Sequence, residues 1–267
     1  MSEMPGRRLR GLWITVAVLS ALFIVVPAGA EVWAQAARQN RSSTSTETTE
    51  QHPVRAVEVH GGSSEVSVSA GTDTEVKIHQ ELSWSVRRPV VNRSWDGDTL
   101  KVSTACDGML ALTGLGCSVK LELAVPAGIS VKVVNQSGPV RVSGLTGAID
   151  LKTGSGSVQL YGVRGPVKVR VGSGSVDGVA LGSQQVEARA GSGEVELGFA
   201  APPRELTGSV GSGEFRATVP PGSRYRVEGS TRSGSREIDS ALADPAADRL
   251  IDASSGAGTV RIGYPGW

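Results

Sequence analysis

The 267-residue chain holds three histidines, two cysteines and 4% aromatic residues, and its 27 Lys+Arg are matched by 26 Asp+Glu. A balance this even gives no overall field to gather nucleic acid, so no nucleic-acid partner is expected. Helical periodicity is missing beyond residue 53; only Ala241 to Arg249 suits a helical turn or two, and Pro245 limits it. Phosphate-loop, dinucleotide-loop and nucleophile-elbow motifs are absent, and no histidine follows His79 to serve a serine as base. No enzyme activity and no cofactor are therefore expected. What is abundant is glycine, 35 residues, among alternating valines and leucines. That describes a β-rich chain with many turns.

Residues 1–10 carry Arg7, Arg8 and Arg10, and the 20 residues from Gly11 to Ala30 are uncharged. Twenty helical residues span about 30 Å, the thickness of a bilayer core. The arginines place residues 1–10 in the cytoplasm and everything after the segment outside it. Residues 11–35 read as a single-pass anchor with Trp33 at the interface; cleavage after Ala30 would make them a signal peptide and the product secreted. Residues 36–52 are Ser/Thr-rich and read as a flexible linker. An even cysteine count in an exported chain reads Cys106 and Cys117 as a disulfide, worth roughly 3 kcal/mol by chain entropy.

The folded part is expected over 53–267, and its dominant feature is a repeat. Triplets stand at Gln136-Ser137-Gly138, Gly154-Ser155-Gly156, Gly172-Ser173-Gly174, Gly191-Ser192-Gly193, Gly211-Ser212-Gly213 and Arg232-Ser233-Gly234, and Ser255 to Gly258 close the series. Two residues after the last glycine come Val140, Val158, Val176, Val195 and Phe215. One coil of a β-solenoid per 18–21 residues accounts for this, with Gly138, Gly156, Gly174, Gly193 and Gly213 at the turns, a valine ladder inside and the serines stacked as a hydrogen-bonded ladder. Lys152, Lys168, Arg170, Glu187 and Arg189 should point outward.

The Val-x-Val-x-(Thr/Val)-Gly-Ser-Gly-x-Val units, the Cys106/Cys117 pair followed by Val119-Lys-Leu-Glu-Leu-Ala-Val-Pro-Ala-Gly, and the N-terminal apolar segment resemble the bacterial putative-adhesin family of unknown function. The resemblance covers about 53–267 and implies a membrane-anchored β-solenoid ectodomain at the cell envelope. It departs at Arg236, which takes the valine's place in its coil.

His60 and His79 are about one coil apart and would meet if their strands were adjacent, but no further ligand completes a metal site, so none is expected. Asp96-Gly97-Asp98 reads as a hairpin turn rather than a calcium loop. Asp150, Asp177, Glu187, Glu194 and Glu196 are spread along the repeats with no distinctive cluster. Trp84, Arg87, Arg88, Arg93 and Trp95 form a candidate ligand patch of indoles and guanidiniums, against a reading in which they cap the solenoid. Sequons occur at Asn40, Asn92 and Asn135. The functional expectation is a non-enzymatic adhesion, structural or interaction module whose partner is an envelope polymer or a membrane protein. The alternatives are an envelope sensing or transport accessory and a carbohydrate-active β-helix enzyme.

Overall fold

The computed structural model describes residues 42–50, 53–72, 74–85, 87–106 and 117–266. The expected leader and anchor, and the start of the expected linker, lie outside the described residues. The strands are β1 (Ser42–Glu50), β2 (Ala56–Ala70), β3 (Val76–Trp84), β4 (Val90–Asp96), β5 (Thr99–Ala105), β6 (Cys117–Val125), β7 (Ser130–Ser137), β8 (Val140–Ser143), β9 (Ile149–Tyr161), β10 (Val167–Leu181), β11 (Gln185–Phe199), β12 (Glu205–Thr218), β13 (Arg226–Glu228), β14 (Thr231–Ile238) and β15 (Leu250–Gly263). All join one sheet, and no described residue is helical.

Each coil is one long strand, or a split pair, bent at its Gly-Ser-Gly into a first and a second limb, and neighbouring coils pair in parallel. Alternation sends every second side chain inward. The valine ladder runs Leu121, Val66, Val140, Val158, Val176, Val195, Phe215 and Val260 in unbroken register, each at most 1% exposed. Volume is conserved across it: the one phenylalanine, Phe215, occupies the space a side chain on Gly208 would need.

The bends explain the glycines. Gly156, Gly174, Gly193 and Gly213 have φ between 123° and 139°, a region essentially reserved for glycine. A Cβ at Gly193 would also overlap the Gly174 carbonyl oxygen, and the same holds coil by coil. The serines between them stand in register, but the expected hydrogen-bonded ladder is not formed. Ser137 donates to Ser63 at 2.9 Å, whereas Ser155, Ser173, Ser192 and Ser212 point to solvent, where water satisfies them as well as a neighbour would.

The two ends depart from the regular pattern. At the C-terminal end the spatial order is β12, β15, then β13 and β14, so the last strand in sequence is inserted before its predecessors. Composition dictates this. β15 supplies Ile251, Ala253, Val260 and Ile262 to the interior, while β14 offers Arg236 opposite Val260 and can only lie outermost. Arg236 there donates to the Glu228 carbonyl at 2.6 Å. The segment after β14 forms turns rather than the helical turns its alanines suggest. The carboxylates of Asp239 and Asp244 accept from the amides of Ala241 and Ala246, a local alternative to helix, and Leu242 is buried beside Tyr225.

At the N-terminal end β5 and β6 together make one coil against β2. An insertion splits this coil where the others carry their bend, and the Cys106–Cys117 disulfide, Cα atoms 5.9 Å apart, bridges the split. Antiparallel arms continue outward: β4 pairs β5 through the expected two-residue turn, with Gly97 at φ 57°, and β3 pairs β6. Ser42–Glu50, expected as flexible linker, is instead strand β1 on the free edge of β3. Its threonines are β-branched and suit a strand, which the Ser/Thr-rich composition concealed.

Candidate functional site

The expected indole and guanidinium patch is dispersed. Trp84 ends β3 beside Cys117, Trp95 lies near the far end of β4, and the segment between them crosses from the second limbs to the first. Val90 lies near the disulfide through its pairing with Ala105, so five residues of strand, roughly 17 Å, separate the two regions. Arg88 stacks over Trp84 with its guanidinium carbon 5.3 Å from the ring centroid, and Arg93 is engaged by Glu50 at 3.4 Å, tying β4 to β1. Arg87 is exposed.

His60 and His79 sit on β2 and β3, which do not pair. His60 meets Glu58 at 3.0 Å. His79 has Ser45 Oγ at 3.3 Å and Glu81 at 3.5 Å, a trio that resembles a hydrolytic triad by composition. Both partners address the same nitrogen, Nε2, so the acid cannot orient the ring from Nδ1 as a triad requires. Asn135 is 2% exposed, with its amide donating to the carbonyls of Ser64 and Ser137 at 2.8 Å each. It is a bend-closing residue and not a surface acceptor for glycan.

The outer surfaces are organised by charge in a way the even composition hides. On the first limbs one row reads Lys101, Glu58, Lys132, Asp150, Lys168, Glu187, alternating in sign from coil to coil. Lys132 reaches Glu58 at 2.6 Å and Lys168 reaches Glu187 at 3.1 Å. The hydrogen bond from Lys132 holds the Glu58 carboxyl below its ordinary value, against burial that pushes it up. Burial likewise raises Glu187, but the hydrogen bond from Lys168 and the charges of Arg189, Lys168 and Arg170 outweigh it, and the net direction is down. A groove of about 570 Å³ runs beside this row across successive coils, over Ala148 and Pro166.

The next row on the same limbs does not alternate. Lys152, Arg170 and Arg189 are direct neighbours in register, facing outward as expected, beside a furrow of about 500 Å³ over Gly154 and Gly172. On the second limbs the bias is reversed: Asp177 is paired in register with Glu196, and Glu194 with Glu214, with Arg216 beside them at 3.8 Å from Glu196 and 2.7 Å from Glu214. Asp177, Glu194 and Glu196, which look scattered in sequence, are thus gathered on adjacent coils. Both groupings were available from the repeat. Each of the three cations precedes the first glycine of its triplet by two residues, and Asp177 and Glu196 each follow the last by three.

A family model described as Toastrack DUF4097 matches residues 129–262. The chain is similar in structure to a putative cell adhesion protein from Clostridium sporogenes, at 8% identity and a TM-score of 0.38, covering 84% of this chain and all of that one. It is similar to a putative lipid binding protein from Parabacteroides distasonis, at 9% identity and a TM-score of 0.36 over 83% and 96% of the two chains. A putative adhesin from Bacteroides fragilis is similar at 14% identity, with a TM-score of 0.33 over 83% and 98%. No curated protein matches the chain in sequence.

Proposed function

The chain belongs to the Toastrack DUF4097 family, and on that premise we propose that it is a non-enzymatic adhesion or interaction module of the cell envelope, anchored by residues 11–35 with its solenoid outside the cytoplasm. The observation that supports this reading is the outer surface of the first limbs, where charged side chains recur at one-coil spacing on a frame locked by its core and bends. Such a frame presents many equivalent weak contacts at fixed intervals, which suits a repeating partner better than a single small substrate.

Co-sedimentation of the full chain, kept in a non-ionic detergent, with isolated envelope polymer tests the reading. Saturable binding is expected. A chain that stays in the supernatant at every polymer concentration would overturn it.

A further inference from the structure

The row formed by Lys152, Arg170 and Arg189 is unlike any other on the described surface. Three cations occupy adjacent coils about 4.8 Å apart, a spacing at which like charges repel. Among the described residues their only counter-charge within ion-pairing distance is Glu187, at 3.4 Å from Arg170 and 3.2 Å from Arg189, and Lys168 shares that carboxylate. Lys152 has no ionic partner among the described residues. Lys152 and Arg170 line the furrow together with Gly154 and Gly172, and Arg189 continues the row of cations one coil beyond it. Along the ridge that follows stand Ser155, Ser173 and Ser192, whose exposed hydroxyls are held in register and make no hydrogen bond to another described residue.

We propose that this furrow binds a linear anionic glycopolymer laid along the solenoid axis, its carboxylates or phosphates on the three cations and its hydroxyls on the serines. The proposal rests on the adhesion reading above and gives it a site and a ligand class. The repetition of one cation, one bare glycine and one hydroxyl per coil matches a chain of repeating units, because a sugar residue advances along its polymer by about the rise of one coil. The acidic surface of the second limbs repels the same polymer and so restricts it to one side.

The test is titration of the full chain, in non-ionic detergent, with polygalacturonate, with poly(glycerol phosphate) and with neutral pullulan. Binding of at least one polyanion, weakening with added salt, and none of pullulan are expected; which polyanion binds tells carboxylate from phosphate. The Lys152→Gln/Arg170→Gln/Arg189→Gln variant should lose roughly tenfold in affinity, as three exposed charge contacts together. The Arg216→Gln/Arg261→Gln variant, on the second limbs, should bind as the parent does. Equal losses in the two variants, or salt-independent binding, would overturn the site. If envelope polymer binds and neither polyanion does, the site fails and adhesion stands; if nothing binds, both fail.

Discussion

The middle coils and the two ends of this solenoid are built from the same 18–21-residue unit, yet they are held by different forces. Between β9 and β12 every coil has a neighbour on both sides, so inward-facing apolar residues and a Gly-Ser-Gly bend suffice. At the ends one neighbour is missing. The N-terminal end meets this with a disulfide-bridged coil and antiparallel arms; the C-terminal end meets it with a polar coil moved out of sequence order. The lesson is that a repeat specifies its interior by similarity and its ends by departure from similarity.

The comparison breaks most severely in the middle. Val176→Asp places a carboxylate in a fully buried ladder and should cost roughly 5 kcal/mol or more, read as loss of the cooperative thermal transition. Gly193→Ala adds backbone strain to an overlap with the preceding coil's Gly174 carbonyl, roughly 4 kcal/mol. At the N-terminal end, Cys106→Ser/Cys117→Ser should lower stability by about 3 kcal/mol, and protease cleavage should begin near β5 and β6 rather than within β9 to β12.

Acid sharpens the contrast further. The carboxyls of Glu58 and Glu187 are held below the ordinary glutamate value of 4.5 in the fold, so their contribution is complete above that pH. It is lost as pH falls through the depressed folded values. Thermal stability should therefore decline below about pH 4.5, and Glu187→Gln should flatten part of that decline; an unaltered acid limb would show that the pairing contributes nothing. The smallest effect is expected at the far end. Arg236→Val should change stability by less than about 0.5 kcal/mol, because the residue is exposed. Light scattering should instead report added self-association, since the substitution makes the outermost coil resemble an interior one.

Much of this was legible before any coordinates. The near-regular 18–21-residue spacing of the triplets sets the coil length, and alternation around Val158, Val176 and Val195 separates inside from outside. Arg236 marked an irregular coil, although not its displacement, because order in space depends on which coil loses least by having one bare side. The disulfide is legible as an even cysteine count in a chain whose first residues read as an export signal, but not that it spans a bend, since the inserted residues hide the register between β5 and β6. The separation of the indoles and guanidiniums is hidden for the opposite reason: twelve consecutive residues look like one surface, whereas the chain uses them to cross between limbs. The segregation of charge was encoded at fixed offsets from the glycines and disappears in any total.

The inserted position of β15 also sets a timetable. On the ribosome β14 emerges before the strand that must separate it from β12, so the open side of β12 has to wait for Leu250–Gly263 to be made. An apolar β14 would dock there early and trap a shorter molecule. With Arg236 at the ladder position, premature docking is unrewarding, and the chain's own polarity keeps the place vacant until its last strand arrives.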